Sequence, residues 1–325
     1  MKRFWFGAGL AGLFFSMVWL QGIEHQLSVG TPGLRWVFDA YRHKIAAAEK
    51  VLGSRVLIVA GSNAMFGIDS GQLEAYWNRP VINLGVNAGL GLPYILDVSQ
   101  RIAHSGDVIL MPMEYGMYLD DGTPNAQIID YVIARDPDYW RRLSFFQHFR
   151  FAFGMTPERW LQGLQRLPDN AVTTGTYGAH HLDARGDQTH SSADDRTAAQ
   201  QAAVRNAKSR DYGERVTKEK GGWEKISDYA KWAQKNGICV VAVPTVLLHH
   251  EKYDRDPQDV AFYDSVPQRI SAAGIPYVGS PRDFMYPPGW FFDTDHHLQD
   301  WARVQHTAKL IELLDHDPLS YCRQK

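Results

Sequence analysis

Five short apolar runs, separated by segments with helical character, constrain the fold of this chain more than any other feature. The runs are RVLIVA (55–60), PVINLG (80–85), DVILMPM (107–113), ICVVAVP (238–244) and IPYVG (275–279). Unbroken runs of Val, Ile and Leu indicate strands that are covered on both faces. Strands that alternate with helices indicate βαβ units and a parallel sheet. The sequence therefore predicts an α/β fold with three layers, α/β/α, around roughly five parallel strands.

A long segment between the third and fourth runs interrupts this alternation. It covers about 116–236, begins with an aromatic-rich stretch and continues as a polar region in which we expect one helix over about 192–218. Segments that follow strand ends often carry substrate specificity, although many are only tolerated. We expect one α/β domain over 26–325 that carries this segment as a surface insertion, and the sequence assigns no role to its part at 165–222.

The N-terminal segment predicts a membrane anchor. Residues 4–23 contain no charged side chain, and Lys2 and Arg3 precede them. About 20 apolar residues suffice to cross a bilayer as a helix, and positive charge before the span favours a cytoplasmic N-terminus. We expect residues 1–25 to be an uncleaved single-pass anchor in the inner membrane, with the remaining chain in the periplasm or another extracytoplasmic space. A cleaved signal peptide and an ordinary buried helix are the alternatives.

Charge and cysteine content exclude some functions. The chain has 34 basic and 36 acidic residues without a concentrated basic stripe, so we expect no binding of nucleic acid. Its two cysteines, Cys239 and Cys322, have no metal-binding or redox spacing. We expect Cys239 to be buried and Cys322 to be free, with a disulfide between them as the alternative in an oxidising compartment.

A serine follows the first predicted strand in the sequence Gly61-Ser62-Asn63. Ligands of open parallel sheets bind beyond the carboxyl ends of the strands, and Ser62 lies at such an end. A nucleophilic serine needs this exposure, together with backbone donors for a developing oxyanion. The alternative is that Ser62 only caps the helix that follows.

Two further segments carry polar residues that suit the same chemistry. The second strand ends in INLGVNAG, which places Gly85 and Asn87 at a neighbouring strand end, and the segment FFDTDHHL lies near the C-terminus. A histidine can take the proton of a serine, and a nearby carboxylate can orient that histidine. A solvated loop, a helix N-terminus or a zinc site are the alternatives for the second segment, but adjacent histidines rarely bind one ion together.

In their order along the chain, these three motifs resemble the blocks of the SGNH/GDSL hydrolase superfamily, whose fold is flavodoxin-like. The resemblance covers roughly residues 52–115 and 236–312. It implies that Ser62 is the nucleophile, that Gly85 contributes to the oxyanion hole and that His297 is the base. Asp293 or Asp295 would be the carboxylate, with His296 as the competing base.

The third block departs from the family pattern. The family has Gly-x-Asn-Asp after the third strand, whereas here the strand ends with Met113-Glu114-Tyr115. Asn87 or Asn63 would then replace the missing oxyanion donor. We expect Glu114, Tyr115 and His296 to contribute to substrate binding.

The combination of this departure with an N-terminal anchor is similar to that of SGNH-like proteins of alginate and cellulose O-acetylation. It is also similar to that of the D-alanyl transfer protein of teichoic acid synthesis. This resemblance implies an O-acetyltransferase or acetylesterase that acts on a cell-surface polysaccharide with an acyl donor, beside a membrane-bound O-acyltransferase. We expect no cofactor and no metal. The alternative is a non-catalytic scaffold or glycan-binding component of a polysaccharide-modification complex.

A histidine-rich segment of the insertion has a separate interpretation. Residues 177–190 contain three histidines and two aspartates, which makes a metal site conceivable. We expect a polar loop instead, because no helical or hairpin spacing holds these side chains in place.

Overall fold

The computed structural model describes residues 2–31, 33–166, 175–216 and 221–323. Its α-helices are, in chain order, α1 (Lys2–His25), α2 (Arg35–Glu49), α3 (Ser62–Gly67), α4 (Ser70–Trp77), α5 (Leu92–Ile102), α6 (Ala126–Arg135), α7 (Pro137–Arg142), α8 (Phe145–Gly154), α9 (Pro157–Gln165), α10 (Ala198–Arg205), α11 (Tyr212–Arg215), α12 (Gly221–Lys235), α13 (Glu251–Arg255), α14 (Pro257–Ala272), α15 (Asp300–Ile311) and α16 (Ser320–Arg323). The strands are β1 (Val56–Ile58), β2 (Val81–Asn83), β3 (Val108–Met111), β4 (Cys239–Ala242), β5 (Leu247–Leu248) and β6 (Met285–Tyr286). Short 3-10 helices cover Ala88–Leu90, Tyr115–Leu119, Ala179–His181, Pro281–Phe284 and Pro288–Trp290.

The chain divides into two compact units. One is formed by Met1–Phe38 with Thr123–Thr173, and the other by Asp39–Gly122 with Thr174–Lys325. The first unit thus joins the N-terminal helix to the first part of the predicted insertion. The second unit contains the sheet and all the residues proposed for the site.

A parallel sheet with the strand order β2-β1-β3-β4 lies at the centre of the second unit. In its register Ile58 stands opposite Asn83 on β2 and Leu110 on β3, and Leu110 stands opposite Val241 on β4. The carboxyl ends of these strands therefore meet at one edge. The predicted parallel α/β fold is confirmed at this level.

Successive residues of each strand belong to two different core clusters. One cluster contains Leu57, Ile109 and Val240, and the other contains Ile58, Leu110 and Val241. Both faces of the sheet are thus buried, which is why the strands read as unbroken apolar runs rather than as an alternating pattern.

The fifth predicted strand, IPYVG at 275–279, is reduced to one parallel bridge between Tyr277 and Ala242. The N–H of Ala242 donates to Pro276, and the N–H of Val278 donates to Ala242, each at 2.9 Å. The segment thus runs beside β4 but does not form a continuous ladder of strand hydrogen bonds with it. The sheet of the described residues consequently has four strands.

The single helix predicted over 192–218 is two shorter helices, α10 and α11. Thr197 caps α10 through a capping box with Gln200, and Asn206 ends it. Arg210, in the connection between the helices, pairs with Asp295 of the C-terminal loop. This tertiary contact fixes the connection where the local pattern had indicated a continuous helix. Residues 217–220 lie outside the described residues.

In the first unit, α1 packs against α8 and α9. Trp19 Nε1 donates to the carbonyl of Ala152 at 2.7 Å, and Trp160 Nε1 donates to the carbonyl of Trp19 at 3.0 Å. The two indole rings stack with their centroids 5.3 Å apart. Within the described residues, α1 is a helix long and apolar enough to span a membrane.

A disulfide joins Cys239 of β4 to Cys322 of α16, with the two Cα atoms 5.7 Å apart. The expectation that Cys239 is buried is confirmed, because its side chain is 3% exposed. The expectation that Cys322 is free is wrong. α16 packs against β4, and this contact brings the two thiols together although 83 residues separate them.

Candidate active site

Ser62 is the first residue of α3 and follows β1 after a turn of three residues. Gly61, which precedes it, has a φ of −80° and needs no unusual backbone freedom. It is needed for space, because a Cβ at this position would collide with the carboxylate of Glu114 and would lie 2.8 Å from the backbone nitrogen of Ala88. The glycine therefore lets the turns after β1, β2 and β3 approach one another closely.

His297 lies against Ser62 and Asp293. Its Nε2 is 2.8 Å from Ser62 Oγ, and its Nδ1 is 2.7 Å from Asp293 Oδ1. His297 is 5% exposed and Asp293 is 7% exposed. The three side chains form an unbroken chain of hydrogen bonds from hydroxyl to imidazole to carboxylate, although Ser62 and His297 are separated by 235 residues.

The loop before α15 holds these two side chains in place. The N–H of Phe292 donates to the carbonyl of His297 at 2.7 Å, and Phe291 forms an antiparallel bridge with Leu298. The loop is closed by these contacts, so Asp293 and His297 face each other across it. The ring of Phe66 stacks on the imidazole with the centroids 4.2 Å apart and the planes at 10°. This stacking fixes the plane of the His297 ring.

Tyr177 completes the surroundings of the carboxylate. Its hydroxyl donates to Asp293 Oδ2 and lies 3.2 Å from His297 Nδ1. Burial, and then the charge of Asp293, raises the pKa of Tyr177, so the hydroxyl keeps its proton and acts as a donor. The sequence pattern predicts only a polar loop around Tyr177, because no motif in the insertion identifies this residue.

Asp293 is ionised in this environment. Burial, the largest influence, raises its pKa, but the hydrogen bonds and charge of His297 and the hydrogen bond of Tyr177 outweigh burial. The resulting pKa lies below the usual value of an aspartate. An ionised carboxylate at His297 Nδ1 fixes the imidazole tautomer that leaves Nε2 free to accept the proton of Ser62.

The second aspartate of the loop has a different partner. Arg210 holds Asp295 with two hydrogen bonds of 2.5 Å and 2.7 Å. Burial, the largest influence, raises the pKa of Asp295, but Arg210 and His296 lower it below its usual value. His296 turns its Nδ1 to the carbonyl of Val246 at 2.8 Å. Of the alternatives that the sequence left open, the geometry places Asp293 and His297 at Ser62.

Glu114 stands where the family pattern has its third block. The carboxylate is 4% exposed and accepts the N–H of Gly61 at 3.0 Å and the N–H of Asn63 at 3.4 Å. Burial raises the pKa of Glu114, while nearby His296 and the backbone donors oppose this change. Glu114 therefore bonds to the backbone on both sides of Ser62, and the predicted contact of Glu114 with substrate stays a prediction.

The predicted oxyanion donors occupy different positions. The N–H of Gly85 already donates to Asn83 Oδ1 at 3.0 Å, so donation to an oxyanion requires this bond to open. Asn87 Oδ1 accepts the N–H of Gly89 at 2.7 Å and thereby shapes the turn beside Gly61. Across the described residues, the N–H groups of Ser62 and Ala88 donate to no other group. These two N–H groups are thus available as donors.

Two further candidates are Tyr115, which is buried, and Asn63, whose side chain is already hydrogen-bonded. Tyr115 is 1% exposed and packs edge-on against Tyr263 with the ring centroids 5.2 Å apart, so it contributes to the core in this conformation. The side chain of Asn63 donates to the carbonyl of Pro112 and to Thr245. A direct role of Tyr115 in substrate binding stays a prediction.

The histidines of the insertion pack against one another. The rings of His181 and His190 lie with their centroids 3.9 Å apart, and His180 lies 4.0 Å from His181. Searching the described ranges finds no group of three or more His, Cys, Asp or Glu that could hold a metal ion.

No family model, curated protein or solved structure matches this chain. A hydroxyl bonded to an imidazole, whose other nitrogen bonds to a buried carboxylate, is an arrangement that activates a serine as a nucleophile.

Proposed function

We propose that this protein is a membrane-anchored, extracytoplasmic serine acyl-ester enzyme of the SGNH type. In this proposal it is an O-acetyltransferase or acetylesterase that acts on a cell-surface polysaccharide. The hydrogen-bond chain from Ser62 through His297 to Asp293 carries the proposal, with distances of 2.8 Å and 2.7 Å. The SGNH type supplies the class of enzyme, and the proposal includes its three-layer arrangement, in which the segment at 275–279 would occupy the fifth strand position beside β4.

The proposed reaction begins with attack of Ser62 Oγ on the acyl carbonyl of the donor. His297 Nε2 takes the hydroxyl proton, and the ionised Asp293 stabilises the imidazolium that forms. Collapse of the tetrahedral intermediate transfers that proton to the leaving group and leaves an acyl ester on Ser62. Water or a sugar hydroxyl then attacks this ester, again with His297 as base, which gives an esterase or a transferase respectively.

The negative charge on the carbonyl oxygen needs donors that already point to it. The N–H groups of Ser62 and Ala88, which have no acceptor within the described residues, are the donors that we propose for this oxygen. Glu114 holds the N–H of Gly61 and of Asn63, so the turn keeps one orientation while the N–H of Ser62 stays free. This arrangement would replace the asparagine that the third block lacks.

The location of the enzyme is proposed from two features. α1 has the length and composition of a membrane-spanning helix, and Lys2 and Arg3 precede its apolar part. The disulfide between Cys239 and Cys322 fits an oxidising compartment such as the periplasm. An acyl donor delivered by a membrane-bound O-acyltransferase and a polysaccharide acceptor would both be accessible there.

The proposal is tested by the Ser62→Ala variant of the full chain in detergent micelles. We expect hydrolysis of p-nitrophenyl acetate to fall by about 10³-fold or more, because removal of the nucleophile leaves only the binding and oxyanion contributions. Circular dichroism and the elution volume of the variant should equal those of the parent.

Ser54→Ala is the matched control. Ser54 is exposed and lies just before the amino end of β1, whereas Ser62 lies beyond its carboxyl end. The control should keep full turnover. Unchanged turnover in folded Ser62→Ala would contradict the proposed mechanism and leave the SGNH-like body without a catalytic serine.

A further inference from the structure

The surface of α8 carries four exposed phenylalanines. The exposed fractions are 79% for Phe145, 77% for Phe146, 57% for Phe149 and 44% for Phe153. The rings of Phe149 and Phe153 lie 4.5 Å apart, and those of Phe145 and Phe146 lie 5.7 Å apart, so they form continuous apolar patches. Exposed aromatic surface of this kind marks a contact with another apolar phase.

These phenylalanines occupy one side of α8. At 3.6 residues per turn, positions 145, 149 and 153 share one face, and 146 borders it. A second face is buried within the unit and includes Phe151 and Ala152. The third face is exposed and polar, with Gln147 and Arg150. α8 thus has a packed face, an apolar exposed face and a polar exposed face.

The packed face ties α8 to the apolar helix α1. Trp19 Nε1 donates to the carbonyl of Ala152, which adjoins Phe153 in the chain. Trp19 lies toward the end of the Phe4–His25 span that is remote from Lys2 and Arg3. Trp residues are typical of the level where a membrane-spanning helix leaves the hydrocarbon. The attachment therefore places α8 at the depth of the membrane interface.

We propose that α8 lies in this interface and inserts its four phenylalanines among the lipid acyl chains. Amphipathic helices with aromatic residues on one face and arginines on the other bind bilayers in this way. Arg150, on the polar face of α8, would face the lipid phosphates. The inference rests on the anchoring part of the proposed function, and a lipid bilayer is the occupant because α8 is attached to α1, the helix that is long and apolar enough to cross a membrane.

Site-directed spin labelling of the full chain tests whether α8 lies in the membrane interface. The two native cysteines are joined in a disulfide, so an introduced cysteine is a free thiol for labelling. The variants are Phe149→Cys on the apolar face, Gln147→Cys on the polar face of the same helix and Leu13→Cys within α1. Each is labelled with a nitroxide and reconstituted in phosphatidylethanolamine–phosphatidylglycerol vesicles, and its collisions with oxygen and with a water-soluble nickel complex are measured.

We expect the Phe149 label to collide several-fold more often with oxygen relative to nickel than the Gln147 label does. The Leu13 label should report the bilayer centre. If the Leu13 label lies in lipid but the Phe149 label has the same ratio of oxygen to nickel collisions as the Gln147 label, the inference is overturned. The anchor is then retained. A Leu13 label in water would refute the anchor itself, and with it the basis of the inference.

Contact with protein is the remaining outcome. Spin–spin broadening at Phe149, or shielding from both reagents, would mean that a second copy of the chain covers this face, and it too would overturn the proposal. Turnover of p-nitrophenyl acetate by the labelled variants reports the Ser62 site separately. Loss of that turnover in the Ser62→Ala variant bears only on the catalytic proposal.

Discussion

At the scale of single residues, the loop before α15 separates the roles of two aspartates that are only two positions apart. Asp293 faces His297 at 2.7 Å, and Asp295 faces Arg210. Both are buried carboxylates with lowered pKa values, so charge alone does not distinguish them. Their hydrogen-bond partners distinguish the two aspartates, and variants of each aspartate measure how far their effects on turnover differ.

Asp293→Asn should lower kcat for acetyl ester hydrolysis by about 10³- to 10⁴-fold, because an amide favours the wrong tautomer of His297. Asp295→Asn should lower kcat by less than about 10-fold, since it removes an ion pair that lies outside the hydrogen-bond chain. Steady-state kinetics on the two full-length variants provide the comparison. Equal losses would mean that the two carboxylates share one function.

At the scale of elements, three turns at the carboxyl edge of the sheet are held together by buried polar side chains. Glu114, from the segment after β3, accepts two N–H groups of the turn after β1. Lys44 of α2 donates to the carbonyl of Gly85 after β2. Each contact fixes the backbone beside Ser62, so we expect each to affect turnover or stability.

Glu114→Ala should lower kcat by about 10²-fold with little change in KM, because a small displacement of the nucleophile has a cost of this order. Glu114→Gln keeps an oxygen acceptor and should recover part of the loss. Steady-state kinetics with p-nitrophenyl acetate separate the two parameters. Full turnover in a folded Glu114→Ala variant would show that the turn holds Ser62 without this carboxylate.

The lowered pKa of Lys44 predicts that the free energy of unfolding depends on pH. Burial, opposed by Asp187 and Asp183, lowers its pKa to about 7, whereas an unfolded lysine has a pKa of about 10.4. Between these values the unfolded state binds more protons, so the contribution of Lys44 to the free energy of unfolding rises with pH. The stability of the parent relative to Lys44→Met should therefore increase from about pH 7 to pH 10.

Urea unfolding at several pH values measures this difference. Lys50→Met is the control, because Lys50 is exposed just after the end of α2. The Lys50→Met variant keeps Lys44, so its stability should show the same Lys44-dependent rise with pH as that of the parent. Parallel pH profiles for the parent and Lys44→Met would contradict the assigned shift.

At the scale of the whole molecule, the disulfide connects the C-terminal helix to the sheet. Cys239 and Cys322 are 83 residues apart in sequence, and closing a long loop restricts the unfolded chain. Cys322→Ser should lower the free energy of unfolding by about 2–4 kcal/mol. Cys239 begins β4, at the edge of the sheet away from Ser62, so turnover should be kept.

Urea unfolding of the parent, of Cys322→Ser and of the reduced parent compares these states. The variant and the reduced parent should lose the same stability. An unchanged unfolding midpoint would mean that the bond contributes little to the fold.

Local patterns predicted the sheet, because covered parallel strands require unbroken apolar runs, and the place of Ser62 after β1 predicted its position at the carboxyl edge. The segment DTDHHL drew attention to His297 because it combines an imidazole with carboxylates, and the structure brings this imidazole to Ser62. Tyr177 was missed, since its contact with Asp293 depends on how the insertion folds back over the loop. The disulfide and the break between α10 and α11 likewise depend on contacts between distant segments.

Mass-spectrometric mapping of the adduct that a fluorophosphonate probe leaves on the full-length protein tests whether Ser62 is a nucleophile activated by His297. We predict a single modified serine at Ser62, with the modification lost in Ser62→Ala and strongly slowed in His297→Gln. No adduct, or an adduct that persists at another serine in Ser62→Ala, would contradict the account.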